Sequence, residues 1–131
     1  MEADNPVQRN VIEIVMVQPR RKNVIPDVAA CGRVRALCLA LPDTTETDSW
    51  GHPNFRVGKK AFVTLEVHRG RPSIAIRLVA DQVQELCADG VFFPTPHGKG
   101  LWASIHADQR MNWRLVGRLM SQSHEMARSG A

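Results

Sequence analysis

The stretch "NFRVGKKAFVTLEVHRGRPSIAIRL", residues 54–78, decides the fold. Apolar and polar residues alternate along three short runs, and Gly58 and Gly70 mark the turns between these runs. A period of two with turn residues between the runs is typical of an antiparallel meander. The residues predicted to face the core are Phe55, Val57, Ala61, Val63, Leu65, Val67, Ile74, Ile76 and Leu78.

A helix is predicted before the meander, over residues 28–41. Asp27 follows a proline and is placed to cap the start of this helix, and Pro42 ends it. Apolar residues recur along one helical face at the spacing i, i+3, i+4, i+7. These residues are Val34, Leu37, Cys38 and Leu41.

Two more helices and another strand are predicted after the meander. Asp81 is placed to cap a short helix, and Gln84 is placed to complete a capping box. "LWASIHA", residues 101–107, alternates as a strand does. Asn112 is placed to cap a last helix, in which Trp113 is expected to be buried.

This order of elements predicts an α+β fold, a two-layer sandwich in which one twisted antiparallel sheet carries about three helices on one face. The alternation also predicts that the other face, called the outer face below, is at least partly exposed to water. A chain of 131 residues suits one domain, which we assign to residues 28–131.

Residues 1–27 are predicted to form a leader outside this domain. The "QPRRKNVIPD" segment is a polar linker that contains prolines, and the preceding "VIEIVMV" is rich in β-branched residues typical of strands. Two interpretations stay open: the leader is a flexible extension, or it adds an edge strand to the sheet.

Composition and cysteine usage limit the classes to which this protein can belong. The 44% hydrophobic and 23% charged content is ordinary for a soluble domain, and the apolar runs are far shorter than the roughly 20 residues that cross a bilayer. None of Cys31, Cys38 and Cys87 belongs to a CxxC pair, which favours reduced thiols. We therefore expect a cytoplasmic protein without a membrane partner.

The motifs of common enzymes are missing from the sequence. It contains no GxSxG, no Walker loop, no HExxH and no dinucleotide fingerprint. The five histidines are scattered and include no i, i+4 pair, so a metal site is not predicted. We expect a protein that is not an enzyme and uses no cofactor.

Basic residues are concentrated in the meander. The net charge is +4, and between residues 52 and 77 six basic residues face the single acidic residue Glu66. The two turns at residues 58–60 and 69–71 are both basic, so we expect them to embrace a phosphate backbone together. The residues predicted to bind nucleic acid are Arg56, Lys59, Lys60, Arg69, Arg71, Arg77, Lys99 and Trp102.

The outer face is predicted to carry both aromatic and polar groups. Its expected members include Phe62, Thr64, His68, Trp102 and His106. Aromatic and basic groups on one surface are what base stacking requires. The alternative is that a loop or the leader covers this face as a minor core.

In the segment "SWGHPNF", residues 49–55, we interpret Trp50, Pro53 and Phe55 as structural residues rather than as ligand-binding ones. We expect Trp50 to pack between the first helix and the sheet, and Pro53 to fix the entry to the strand. His52 is the member with a candidate functional role. A shallow ligand pocket is predicted from Trp50, His52, His97, Lys99 and Trp102.

Several of these segments together resemble the MmcQ/YjbR-like family. They are "LALP", "SWGHPNFRVGKKAFVTL", "IAIRL", "ADQVQEL", "FFPTPHGKGLWASI" and "NWRLV", and the resemblance covers about residues 28–128. The resemblance implies a frataxin-like or secretion-chaperone-like fold with a twisted antiparallel sheet. It also implies DNA binding through a "double wing" of β-hairpins, and no established enzymatic activity.

The residues and the resemblance together predict a DNA-binding protein of low sequence specificity that uses basic hairpin turns and the outer face. The alternative is a non-enzymatic module that binds a small molecule or a protein on the same face, as drug-resistance or chaperone-like domains do. A steep salt dependence of DNA binding separates the first hypothesis from the second.

Overall fold

The computed structural model describes residues 28–130, so the predictions for the leader and for Asp27 lie outside the described residues. The helices are α1 (Ala29–Leu39), α2 (Ala80–Leu86) and α3 (Trp113–Ser129), with a 3₁₀ turn at Cys87–Asp89. The strands are β1 (Thr44–Ser49), β2 (His52–Val57), β3 (Lys60–His68), β4 (Arg71–Arg77), β5 (Phe93–Pro94) and β6 (Trp102–His106).

The six strands form one antiparallel sheet in the order β1-β2-β3-β4-β6-β5. Helix α1 packs against β1, α3 against the central strands, and α2 against β5 and β6. The predicted α+β architecture, with one antiparallel sheet and three helices, is confirmed for residues 28–130. Because a helix and a sheet each hide one apolar face, a single core between the two layers satisfies both.

The alternation in the meander correctly predicts most of this core. Val63 pairs with Ile76, and Leu65 pairs with Ile74, which in turn lies opposite Ile105. These five side chains are at most 4% exposed. Fully burying an aliphatic side chain contributes roughly 1.5–3 kcal/mol, so this row of cross-strand pairs is a major source of stability.

A β-bulge reverses the prediction for Phe62. Val63 pairs with Phe55 whereas Ala61 pairs with Arg56, so Phe62 is an extra residue of β3 without a partner on β2. A bulge bends the strand and changes the direction of the side chain. Phe62 therefore faces the helices and is fully buried, with its ring 5.3 Å from that of His124. The same shift places Ala61 beside Arg56 on the outer face.

Strand β1 was not predicted, and Trp50 lies in a different place from the one predicted. The segment "TTETDS" pairs with β2 through Ser49 and His52, and Trp50 and Gly51 form the connecting turn with φ angles of 56° and 83°. A side chain in such a turn projects beyond the ends of the strands. Trp50 is 88% exposed, so the expectation that it packs between α1 and the sheet is wrong.

The first two helices begin differently from the prediction. The N-cap of α1 is Val28, which makes no side-chain capping bond, and Cys31 is buried where Leu37 was expected; Leu37 is 38% exposed. The N-cap of α2 is Val79, so Asp81 lies in the first turn and the predicted capping box is absent. Both differences shift the start of the helix by one or two residues, which is the usual error of such predictions.

The last helix follows the prediction except at its first residue. The Asn112 Oδ1 atom accepts a hydrogen bond of 3.2 Å from the backbone N–H of Leu115, which confirms the cap. Trp113 is only half-buried because it begins the helix at the edge of the core, where the Arg33 guanidinium lies 4.5 Å from the ring centre. Across residues 28–130, no helix is long and apolar enough to cross a bilayer.

Candidate functional site

The turns of the meander alternate between the two ends of the sheet. The turn at residues 58–59 joins β2 to β3 at one end, called the Lys59 end. The turns at residues 50–51 and 69–70 lie at the other end, called the Trp50 end. The nine-residue strand β3 separates the two ends by about 25–30 Å.

The two basic turns therefore lie at opposite ends of the sheet. They do not form the predicted shared surface for one phosphate backbone. Arg69 and Arg71 lie at the Trp50 end, where Arg71 Nη2 is 2.8 Å from Asp108 Oδ1 and Nε is 3.1 Å from Oδ2. This hydrogen-bonded pair raises the pKa of Arg71 and lowers the pKa of Asp108. Because Asp108 neutralises it, Arg71 contributes little net charge at this end.

Five of the eight predicted nucleic-acid contacts are basic residues that the structure collects at the Lys59 end. Arg56 is oriented by two hydrogen bonds of 3.1 Å, from Nε to Thr47 Oγ1 and from Nη1 to the carbonyl oxygen of Lys59. The bond to Lys59 holds the Arg56 guanidinium against the turn between β2 and β3. The five residues are Arg56, Lys59, Lys60, Arg77 and Lys99. Two acidic residues lie near this end: Asp43, just before β1, and Asp81, in the first turn of α2.

Trp102 lies next to this basic group. It pairs directly with Arg77 across β6 and β4, and both side chains are half-buried. Arg56 pairs with Ala61 on β2 and β3, and Arg77 pairs with Trp102 on β4 and β6, so the outer face at this end carries a guanidinium on each side of β3. With neighbouring strands about 4.8 Å apart, the backbones of Arg56 and Arg77 are roughly 10 Å apart.

The loop before β6 fixes the position of Lys99. The Thr95 N–H donates to the Trp102 carbonyl at 3.1 Å, and the Gly98 N–H donates to the Thr95 carbonyl at 2.9 Å. A Cβ atom on Gly98 would approach Trp102 Cβ to 3.0 Å, so only glycine fits there without displacement of its neighbours. Lys99 is exposed in the following turn, with a positive φ of 57°.

The centre of the outer face is buried, contrary to the expected open stacking surface. The five residues there are between 0% and 8% exposed: Asn54, Thr64, Ser73, Ala75 and Ser104. Asn54, Thr64, Ala75 and Ser104 are direct cross-strand neighbours, so these short side chains form one row across the middle of the sheet. Thr64 Oγ1 donates to Glu66 Oε2 at 3.0 Å, and Thr95 and Ser104 hydroxyls are 2.6 Å apart. On this face, contacts with a large partner are therefore expected at the ends of the sheet rather than at its centre.

A cluster of three rings covers the outer face at the Trp50 end. The Phe93 ring stacks on His68 with 4.4 Å between centroids and lies 4.8 Å from the ring of His106. Burial is the main cause that lowers the pKa of His106, and the charge of Arg71 adds to it. The sequence indicated that His68 and His106 face outward and that residues 91–100 form a loop with a possible strand fragment, but it did not indicate that Phe93 contacts the two histidines.

The residues of the predicted pocket are divided between the two ends. Trp50 and His52 lie at the Trp50 end, whereas His97, Lys99 and Trp102 lie at the Lys59 end. The pocket is therefore not formed. Two cavities lie elsewhere, one of about 460 Å³ between the starts of α1 and α3 and one of about 290 Å³ between α2 and α3, and none of these five residues lines either one.

No group of three or more metal-ligating side chains suited to a metal ion occurs within residues 28–130.

Two comparisons with known proteins gave a match. The model of the YjbR family matches residues 39–126. The crystal structure of Deinococcus radiodurans protein DR2400, which carries domain DUF419, is similar with a TM-score of 0.63 at 19% sequence identity. The match covers 77% of this chain and 80% of that protein. No curated protein shows significant sequence similarity.

Proposed function

This chain belongs to the YjbR family, and from the surface described above we propose that it binds nucleic acid with low sequence specificity through the Lys59 end. The observation that carries the proposal is the collection of five basic side chains beside Trp102 at one end of the sheet. DNA is the partner in this proposal, and the role is binding rather than catalysis.

Electrostatics supports this end over the other. At the Lys59 end, five basic residues outnumber the two acidic residues Asp43 and Asp81. At the Trp50 end, Arg71 is paired with Asp108. Lysine and arginine that neutralise phosphates release condensed counterions, and this release supplies most of the affinity of non-specific binding. The long side chains at residues 59 and 60 can reach phosphates without any change in the core.

Low specificity follows from where the apolar and basic groups lie. Sequence readout requires an element that enters a groove and presents side chains to base edges. The apolar stripe of α3, which includes Val116, Leu119 and Met120, is buried in the core. Trp102 offers a partly exposed indole, which stacks on any base without selecting its sequence.

The proposal is tested by measuring the dissociation constant for a fluorescent duplex and a single strand between about 20 and 200 mM salt. If the five basic residues make about four phosphate contacts, log K falls against log salt with a slope of roughly −3 to −4 on duplex DNA. Absence of binding to both forms at the lowest salt concentration would overturn the proposal.

The small-molecule alternative on the outer face loses its support, because the five predicted pocket residues lie at opposite ends of the sheet. A protein partner is a different matter, since it requires an exposed edge or patch rather than a pocket.

A further inference from the structure

Strand β1 forms the long edge of the sheet. Within residues 28–130 its six residues pair with β2 on one side and with no strand on the other. The opposite edge, β5, has two residues and ends at Pro94, which lacks an N–H donor. An edge strand exposes unpaired backbone groups to which another chain can add a strand, so β1 is the edge suited to this addition.

Hairpin geometry shows which groups point outward. A two-residue turn closes on a hydrogen-bonded pair, which here is Ser49 with His52. Hydrogen-bonded and non-bonded pairs alternate along an antiparallel ladder, so the N–H and C=O groups of Glu46 and Asp48 point away from β2. These groups are available to an added strand.

Trp50 extends this edge with an apolar surface. It is 88% exposed and contributes nothing to the core, and its φ of 56° is unfavourable for a bulky residue. Tryptophan is enriched among the residues that dominate the affinity of protein interfaces. A strained and exposed tryptophan at the end of an open strand has the features of an anchor for a bound chain.

The charge of the edge restricts the partner. Glu46 and Asp48 lie along its outward-pointing positions, and because Arg35 pairs with Glu46 at 3.0 Å, the carboxylate of Asp48 supplies most of the negative charge there. Nucleic acid would be repelled by these carboxylates. A second copy paired through β1 about a two-fold axis would bring the Glu46 and Asp48 carboxylates of both copies together, and like charges that face each other across strands are destabilising.

We propose that β1 and Trp50 bind an extended basic segment of a partner protein, which adds to the sheet as a seventh strand. The backbone groups of Glu46 and Asp48 pair with the segment, the carboxylate of Asp48 attracts a lysine or arginine side chain, and the indole of Trp50 packs on an apolar residue near its end. Trp50, Asp48 and Ser49 lie at the opposite end of the sheet from Lys59, Arg77 and Lys99, whereas the start of β1 lies beside Arg56.

The test uses the full chain labelled with ¹⁵N and the acetylated, amidated hexapeptide TKVKVK as the probe. Without peptide, the amides of Glu46 and Asp48 are expected to exchange rapidly with solvent. With peptide at roughly millimolar concentration, they are expected to shift and become protected. The acidic peptide TEVEVE is expected not to bind.

Trp50→Asn is the matched variant, because asparagine favours the left-handed turn conformation while it removes the indole. It is expected to weaken binding of TKVKVK by about tenfold, and Arg69→Asn in the corresponding β3–β4 turn is expected to leave binding unchanged.

Four results would overturn the proposal: no binding of TKVKVK, binding without protection of these two amides, equal binding of TEVEVE, or unchanged affinity of Trp50→Asn. Amides already protected in the free protein would overturn it as well. Dimer formation in ultracentrifugation would then identify a second copy as the occupant of the edge, and a monomer would identify a segment of the same chain.

Discussion

Ser73 and His106 lie directly opposite each other across β4 and β6, and Ser73 Oγ and His106 Nε2 are both buried without a hydrogen-bond partner in the described part of the chain. Glu66 pairs with Ser73 from the other side, and Arg71, Asp108 and His68 are the titratable groups that act on the histidine. Since burial and Arg71 lower the pKa of His106, the folded protein favours the neutral ring.

This pKa shift predicts how stability depends on pH. Below the ordinary histidine value of about 6.5, the unfolded chain binds a proton that folded His106 resists, so the free energy of unfolding falls as pH decreases through this window. Above about pH 6.5, His106 is neutral in both the folded and the unfolded chain, so it does not make the free energy of unfolding depend on pH. Urea unfolding between about pH 5 and 7.5 is expected to show a smaller loss for His106→Gln than for the wild type. Identical pH profiles for the wild type and His106→Gln would contradict the lowered pKa of His106.

The bulge at Phe62 predicts a large effect of truncation. Phe62 is fully buried against α3, whereas Phe93 is half-buried on the outer face. Phe62→Ala is expected to lower the free energy of unfolding by about 3–5 kcal/mol, the usual range for a core aromatic. Phe93→Ala serves as the control and is expected to cost less. If the order of the two effects were reversed in denaturant unfolding, Phe62 would face outward as its sequence position suggests.

Replacement of Trp50 by asparagine is expected to maintain or raise stability. The native residue is exposed and has a positive φ, which costs a bulky side chain roughly 1 kcal/mol relative to a residue that tolerates this region. Asn-Gly is also the preferred pair for a two-residue hairpin turn. Thermal unfolding of Trp50→Asn measures this effect. A clear decrease in the melting temperature would show that the indole packs on the fold.

The cysteines are expected to differ in reactivity. Burial, with a smaller effect of the Glu46 charge, raises the pKa of Cys38 to about 12, so at pH 8 only about one thiol in ten thousand is ionised. Cys87 is half-buried, and its pKa is raised by burial and by Asp89. Mass spectrometry after treatment with iodoacetamide at pH 8 should find Cys87 labelled before Cys38. Equal labelling of the two in the folded protein would contradict this prediction.

Much of the fold could be predicted because alternation in β3 and β4 directly reflects which side chains the sheet buries. The exceptions have local causes. Phe62 was misplaced because a bulge inserts a residue that no sequence period reveals. Strand β1 was missed because its polar residues, "TTETDS", alternate in no apolar pattern, although its three threonines are β-branched.

The candidate site was harder to predict than the fold. The basic residues were identified from the sequence, but which of them lie together depends on the direction of each strand. A meander places consecutive turns at opposite ends, which separates Lys59 from Arg69, and only the structure shows that Asp108 pairs with Arg71. The domain boundary at residue 28 and the cytoplasmic location stay predictions.

The central claim is that the Lys59 end, and not positive charge in general, binds nucleic acid. Two double variants remove the same charge from opposite ends: Lys59→Ser with Lys60→Ser, and Arg69→Ser with Arg71→Ser. The measurement is the slope of log K against log salt for duplex DNA. The lysine variant is expected to reduce the magnitude of this slope by about 2 and the arginine variant to leave it unchanged, since each lost phosphate contact removes about 0.9. Equal reductions in the two variants, or a larger one in the arginine variant, would contradict the account.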